Sequence, residues 1–132
     1  AGNTTIIDDD LILEPGQEVI IGAIKDPNFG PMAMFGGGGI EVELYEDVCF
    51  GLAPLDEHDV ERMLVQTFAG KKLDGIRNIQ PGDKAALKVM LINFSRYFSD
   101  RDYLAECELN PVIVHKDGEG ATAVDFRFSE DE

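Results

Sequence analysis

Apolar residues along this chain change their period twice. Between residues 17 and 53 they fall in short runs and alternations: Val19, Ile20 and Ile21 in "EVIIGAI", then "MAMF", then Ile40, Val42 and Leu44 against Glu41 and Glu43, then "VCFGL". A period of two, bounded by turn residues, marks strands half-buried in a sheet. The Pro15-Gly16 turn signal predicts a strand of roughly residues 17 to 25, and "KDPNFGP" turns the chain back. From Leu55 the spacing lengthens to three and four. Val60, Met63, Leu64 and Phe68 share one face of a helix capped by Asp56, and Leu87, Met90, Leu91, Phe94 and Phe98 do the same in a second helix capped by Asp83. "AGKKLDGIRNIQPG" between them reads as a loop. The period of two then returns through residues 107 to 128, with Asp117-Gly118 as a hairpin turn. Strands, two helices, then strands predict an α+β fold: a mainly antiparallel sheet with two helices on one face. Residues 1–132 read as a single domain and a fragment, with 1–13 as a cut edge and 129–132 as a frayed acidic tail.

Three oxygen-bearing side chains interrupt the last strands: Glu108, Asn110 and Asp125. A two-residue turn at Asp117-Gly118 sets Lys116 opposite Glu119, and that register carries Asn110 across from Asp125 and Glu108 across from Arg127. Same-face neighbours in a strand lie about 6.5–7 Å apart and direct cross-strand pairs about 4.5–5.5 Å apart, so one ion can reach all three side chains. Leu109, Ile113, Val124, Phe126 and Phe128 are left for the core face. Two carboxylates and an amide suit a hard cation, and Mg²⁺ commonly takes one or two carboxylates, waters and substrate phosphates. The same residues also fit a plain structural account, in which Glu108 pairs with Arg127 and Asn110 holds the turn before Pro111.

Composition narrows the function class. An apolar fraction of 44% fits a soluble globular domain. No apolar run of ~18 residues and no charged-then-apolar start are present, which predicts no membrane span, no secretion signal and a cytoplasmic location. A formal charge of -15, from 26 acidic and 11 basic residues, repels nucleic acid and anionic membrane. It leaves open a solvated acidic face, a basic partner or life in high salt. Cys49 and Cys107 lack CxxC spacing and read as buried reduced thiols, His58 and His115 as structural, and Lys72 and Arg77 as surface cations. Gly36 to Gly39 permit a close backbone approach to another chain or ligand, or simply a flexible hairpin tip.

"EVIIGAIKDPNFGPMAMFGGGGIEVELYEDVCFGLAPL", then "LDGIR", "ELNPV" and "AVDFR", stand in an order that resembles ADP-forming acetyl-CoA synthetases and, more distantly, succinyl-CoA synthetase β subunits. The resemblance spans roughly residues 14 to 128 and covers the C-terminal subdomain of the ATP-grasp domain. It implies reversible conversion of acyl-CoA, ADP and phosphate to acid, CoA and ATP through a phosphohistidine, with ATP or ADP and Mg²⁺ bound. Under it, Glu108, Asn110 and Asp125 are metal ligands, Gly37 and Gly38 bind nucleotide phosphate through their amides, and Glu43 is a catalytic residue facing the site. The implied partners are nucleotide and a CoA-binding α-type subunit or domain. Departures include "DDDLIL" where the family has a hinge-like strand, Arg77-Asn78 for Arg-Gly, and the absence of the lysine-bearing nucleotide subdomain, so the fragment is expected to be inactive alone. A regulatory synthetase-like module of a lysine acetyltransferase is the alternative, and a non-catalytic assembly surface a third reading.

Overall fold

The structure, a computed structural model, describes residues 4–6, 16–37 and 47–131. The expected strand "IEVELY", with Gly38 and Glu43, lies outside those residues. In chain order the elements are β1 (Thr4–Ile6), β2 (Gly16–Asp26), β3 (Gly30–Gly37), β4 (Val48–Leu52), α1 (Glu57–Gln66), α2 (Phe68–Lys72), α3 (Lys84–Ser99), β5 (Leu104–His115), β6 (Ala121–Ala123) and β7 (Phe126–Glu130). They form one sheet in the order β1-β6-β5-β2-β3-β4, with β7 also paired to β5. Every pair is antiparallel except β1 with β6. No helix among the described residues is long and apolar enough to cross a membrane.

One face of the sheet is closed by the helices. Val19, Ile21, Ala33, Phe35, Cys107 and Leu109 from the strands meet Val60, Met63, Leu64, Leu87, Leu91 and Phe98 in a single buried cluster. Both predicted caps are present. Asp56 forms a reciprocal box with Asp59, and Asp83 accepts from Ala86 N. Asp83 does more than cap α3. Its second oxygen accepts from Gly120 N at 2.8 Å, and its own amide donates to His115 O at 2.8 Å, which ties the helix start to the hairpin end. Asp83→Ala removes the cap and strands the buried Gly120 amide. It is expected to lower the unfolding free energy by about 2–3 kcal/mol in urea titrations, and Asp83→Asn by less, since it keeps one acceptor.

Three expectations are corrected here. Phe68 does not join the face of α1 and is 52% exposed. The helix stops at Gln66 because Thr67 takes an extended conformation, donates its hydroxyl to Met63 O and accepts from Gly70 N, while Asp47 accepts from Phe68 N and Ala69 N. These acceptors satisfy the first amides of α2, so part of the expected loop is helical. The expected frayed tail is also shorter: Ser129 pairs with Glu106 and Glu130 with Leu104. The third correction concerns the core face of the hairpin. Val112 and Val114 replace Ile113 in the cluster, and Phe128 is 54% exposed. The cause is a bulge: Ile21 pairs with Leu109 but Val19 with Val112, so Asn110 and Pro111 together oppose Ile20. From Cys107 to the bulge the odd-numbered residues of β5 face the helices, and after it Val112 and Val114 do. Phe128, at the edge strand, has no helix over it and stacks on Phe126 instead.

Candidate functional site

The hairpin register read from Asp117-Gly118 is the register observed. Glu119 N donates to Lys116 O, Val112 pairs with Ala123, Asn110 N donates to Asp125 O at 3.2 Å, and Glu108 pairs with Arg127. Glu108, Asn110 and Asp125 therefore share the sheet face turned away from the helices. Asn110 Nδ2 donates to Glu108 Oε1 at 3.1 Å, and Arg127 Nε donates to Asp125 Oδ2 at 3.2 Å. Alternation from Cys107 and Leu109 already turns Asn110 outward beside Glu108, and the bulge that follows leaves Asn110 and Pro111 together opposite Ile20 and turns Val112 and Val114 to the core.

Beside these polar groups the open face carries a cavity of about 460 Å³, lined by Gly22, Ile24, Met32, Met34, Phe50, Glu106, Glu108 and Arg127. These residues come from five strands, because Phe50 pairs with Met34, Met34 with Gly22, Gly22 with Glu108 and Glu108 with Arg127 in one row across the sheet. One end of the cavity is apolar and the other charged. Ile24 and Phe50, 41% and 45% exposed, supply the apolar end.

The donor set fits magnesium. Two carboxylates and an amide oxygen are hard ligands, and the amide hydrogen given to Glu108 leaves the carbonyl oxygen of Asn110 as its remaining acceptor. Among the described residues no group of three or more His, Cys, Asp or Glu side chains could by itself hold a metal ion. A site completed by water and phosphate oxygens is the kind these residues can make.

The other expected site residues fare differently. Gly37 ends β3 in extended conformation, and its amide donates to Asp47 O at 3.0 Å, so it is committed to the sheet rather than offered to an anion. The close approach expected of the glycine run occurs within the chain: a Cβ on Gly36 would lie 2.5 Å from Asp47 O. Cys49 and Cys107 are free and buried. Burial pushes the Cys107 thiol up, with partial relief from Lys25 and Arg101, which makes it a poor nucleophile. His115 bonds Thr122 Oγ1 at 2.8 Å in a buried setting, as a structural histidine does. Sequence reasoning missed the bulge, although a proline inside a strand pattern is its usual signal. Arg127 does lie across from Glu108, but the ion pair of the plain structural account is not formed: the guanidinium goes to Asp125, just before β7.

Residues 7–129 match the profile of the ATP-grasp domain. The chain is an ATP-grasp protein. This ATP-grasp chain is 45% identical over 118 residues to the β subunit of an ADP-forming acetate–CoA ligase, isoform II, of Pyrococcus furiosus, matching 89% of this chain and 50% of that subunit. It is 36% identical over 117 residues to the ADP-forming 4-hydroxybutyrate–CoA ligase of Nitrosopumilus maritimus, matching 89% of this chain and 17% of that enzyme. Among solved structures it superimposes with a TM-score of 0.84, at 43% identity, on acetyl-coenzyme A synthetase 1 of Candidatus Korarchaeum cryptofilum, covering 91% of this chain and 55% of that one. That structure was determined with coenzyme A and Mg-AMPPCP, its phosphohistidine segment pointing towards the nucleotide-binding site. The chain thus spans about half the length of the β subunit it matches. The ATP-grasp fold agrees with the α+β layering expected from the hydrophobic pattern.

Proposed function

We propose that the full-length protein is an ADP-forming acid–CoA ligase and that this chain supplies the magnesium and nucleotide face of its phosphoryl-transfer site. What carries the reading is the shared face of Glu108, Asn110 and Asp125, with the Asn110 amide already bonded to Glu108. Ligation of magnesium at these three side chains would supply charge neutralisation and in-line orientation for the transferred phosphoryl group. Glu108 and Asp125 would contribute the negative charge that draws the ion, and Asn110, held by Glu108, a neutral oxygen. The row of strands beneath them keeps those groups in register while substrates come and go. Glu43 and Gly38 are proposed for the phosphate side through the family's Gly-rich stretch; the amide of Gly37 is not.

The relatives' names support the same reading. They are ADP-forming ligases, one being a β subunit, which makes a CoA-binding α-type partner the natural complement. The acyl group differs among them, acetate in one and 4-hydroxybutyrate in another, so it is not assigned here. Spanning about half of the β subunit it matches, this chain alone is proposed to be inactive. The regulatory reading has no such relative behind it and is set aside.

Paramagnetic relaxation tests the assignment without turnover. Substoichiometric Mn-ADP added to isotopically labelled full-length protein should broaden the amide resonances of Glu108, Asn110 and Asp125 before any others. Broadening confined to residues away from β5 and β7 would overturn it.

A further inference from the structure

One cation already stands among the proposed metal oxygens. Arg127 is the cross-strand partner of Glu108, yet its Nε donates to Asp125 Oδ2. It is also the basic residue among those lining the open-face cavity, where Glu106 and Glu108 are the acidic ones. Its side chain is 80% exposed, and that of Asp125 49%. An ion pair so exposed adds little to folding, so its stability is a weak reason for placing a guanidinium here.

We propose that Arg127 is a counter-cation that exchanges partners when the site fills: it neutralises Asp125 while metal is absent, and moves to a phosphate of the nucleoside diphosphate when the metal takes that carboxylate. The inference rests on the reading of Glu108, Asn110 and Asp125 as metal ligands. Its logic is electrostatic. A guanidinium and a divalent cation compete for one carboxylate, and at such short range like charges repel even in a solvated setting. Arg127 sits on an edge strand with a long, exposed side chain, so a change of rotamer disturbs no packing. A phosphate is the ligand whose oxygens match its planar fork, and it arrives with the metal. No proton or covalent bond changes hands; the exchange is of ion pairs alone.

The consequence is a change of sign. Arg127 opposes metal binding by itself and favours metal bound together with nucleotide, so it couples the two. Free Mn²⁺ in titrations of full-length protein, read by electron paramagnetic resonance with and without ADP, measures both affinities. Arg127→Ala is expected to bind Mn²⁺ alone about threefold to tenfold more tightly and Mn-ADP about tenfold more weakly than the parent. Arg127→Lys, which keeps the charge but not the fork, should leave the metal-alone affinity near the parent's and lose part of the Mn-ADP affinity. A purely structural arginine would move both affinities the same way. Unchanged or weaker Mn²⁺ binding by Arg127→Ala overturns the inference. An Asp125→Ala control separates the two levels: if it leaves Mn²⁺ affinity intact, the metal assignment itself fails, whereas if it abolishes binding while Arg127→Ala changes nothing, the exchange alone is wrong.

Discussion

Asp125→Asn in the full-length protein is expected to weaken Mg-ADP binding by about 100-fold or more. The substitution is close to isosteric and acts on one property. It removes a negative charge from a set holding two carboxylates, while the backbone carbonyl that accepts from Asn110 N remains. Changes in groups that merely orient metal ligands already cost about 10- to 100-fold in affinity, so losing a charged ligand should reach the upper end of that range or pass it. The side chain is half exposed and its ion partner is on the surface, so the unfolding free energy should stay within about 0.5 kcal/mol of the parent. Calorimetric titration with Mg-ADP and a urea melt separate the two quantities. Affinity within threefold of the parent would take Asp125 out of the ligand set, and a loss of stability with affinity would turn the effect into one of folding.

The second large effect is on stability, and two principles disagree about its sign. Helix propensity favours Gly70→Ala by about 1 kcal/mol, because Gly70 lies inside α2 without a positive φ. Sterics oppose it. A Cβ at Gly70 would stand 2.1 Å from Leu64 O and 2.5 Å from Leu64 Cα, both backbone atoms that cannot rotate away. Leu64 is buried, and α2 folds back on α1 only because nothing projects from Gly70. Repulsion at that distance outweighs the propensity gain, and a net loss of about 2–3 kcal/mol is expected in urea titrations. A stabilised variant would show that α2 does not pack on α1 as described.

How much of this was legible beforehand depends on the range of the forces involved. Asp56 and Asp83 were readable as caps because capping is local, a side chain bonding an amide three residues on. The stripes of Leu87, Met90, Leu91, Phe94 and Phe98 were readable because one helical period decides which side is buried. The shared face of Glu108, Asn110 and Asp125 was readable because Asp117-Gly118 pins the register within the hairpin itself. What failed depended on distant partners. The end of α1 is set by Asp47, about twenty residues away, whose carboxylate makes a second helix start affordable at Phe68. Phe128 was assigned to the core from alternation alone, but alternation cannot say whether a helix covers that edge. The bulge at Asn110 and Pro111 is relative to β2, a strand nearly ninety residues upstream, so the hairpin's own pattern could not place it. Pro111 was the clue, and it was read as the start of a turn.

Strand β5 is clasped along both margins, by β2 on one and by β6 and β7 on the other. Asn110 and Glu108 cannot shift against one another without unzipping two ladders together. Under the proposed function these oxygens serve as the anvil when a nucleotide enters or leaves, and the hammer must come from elsewhere.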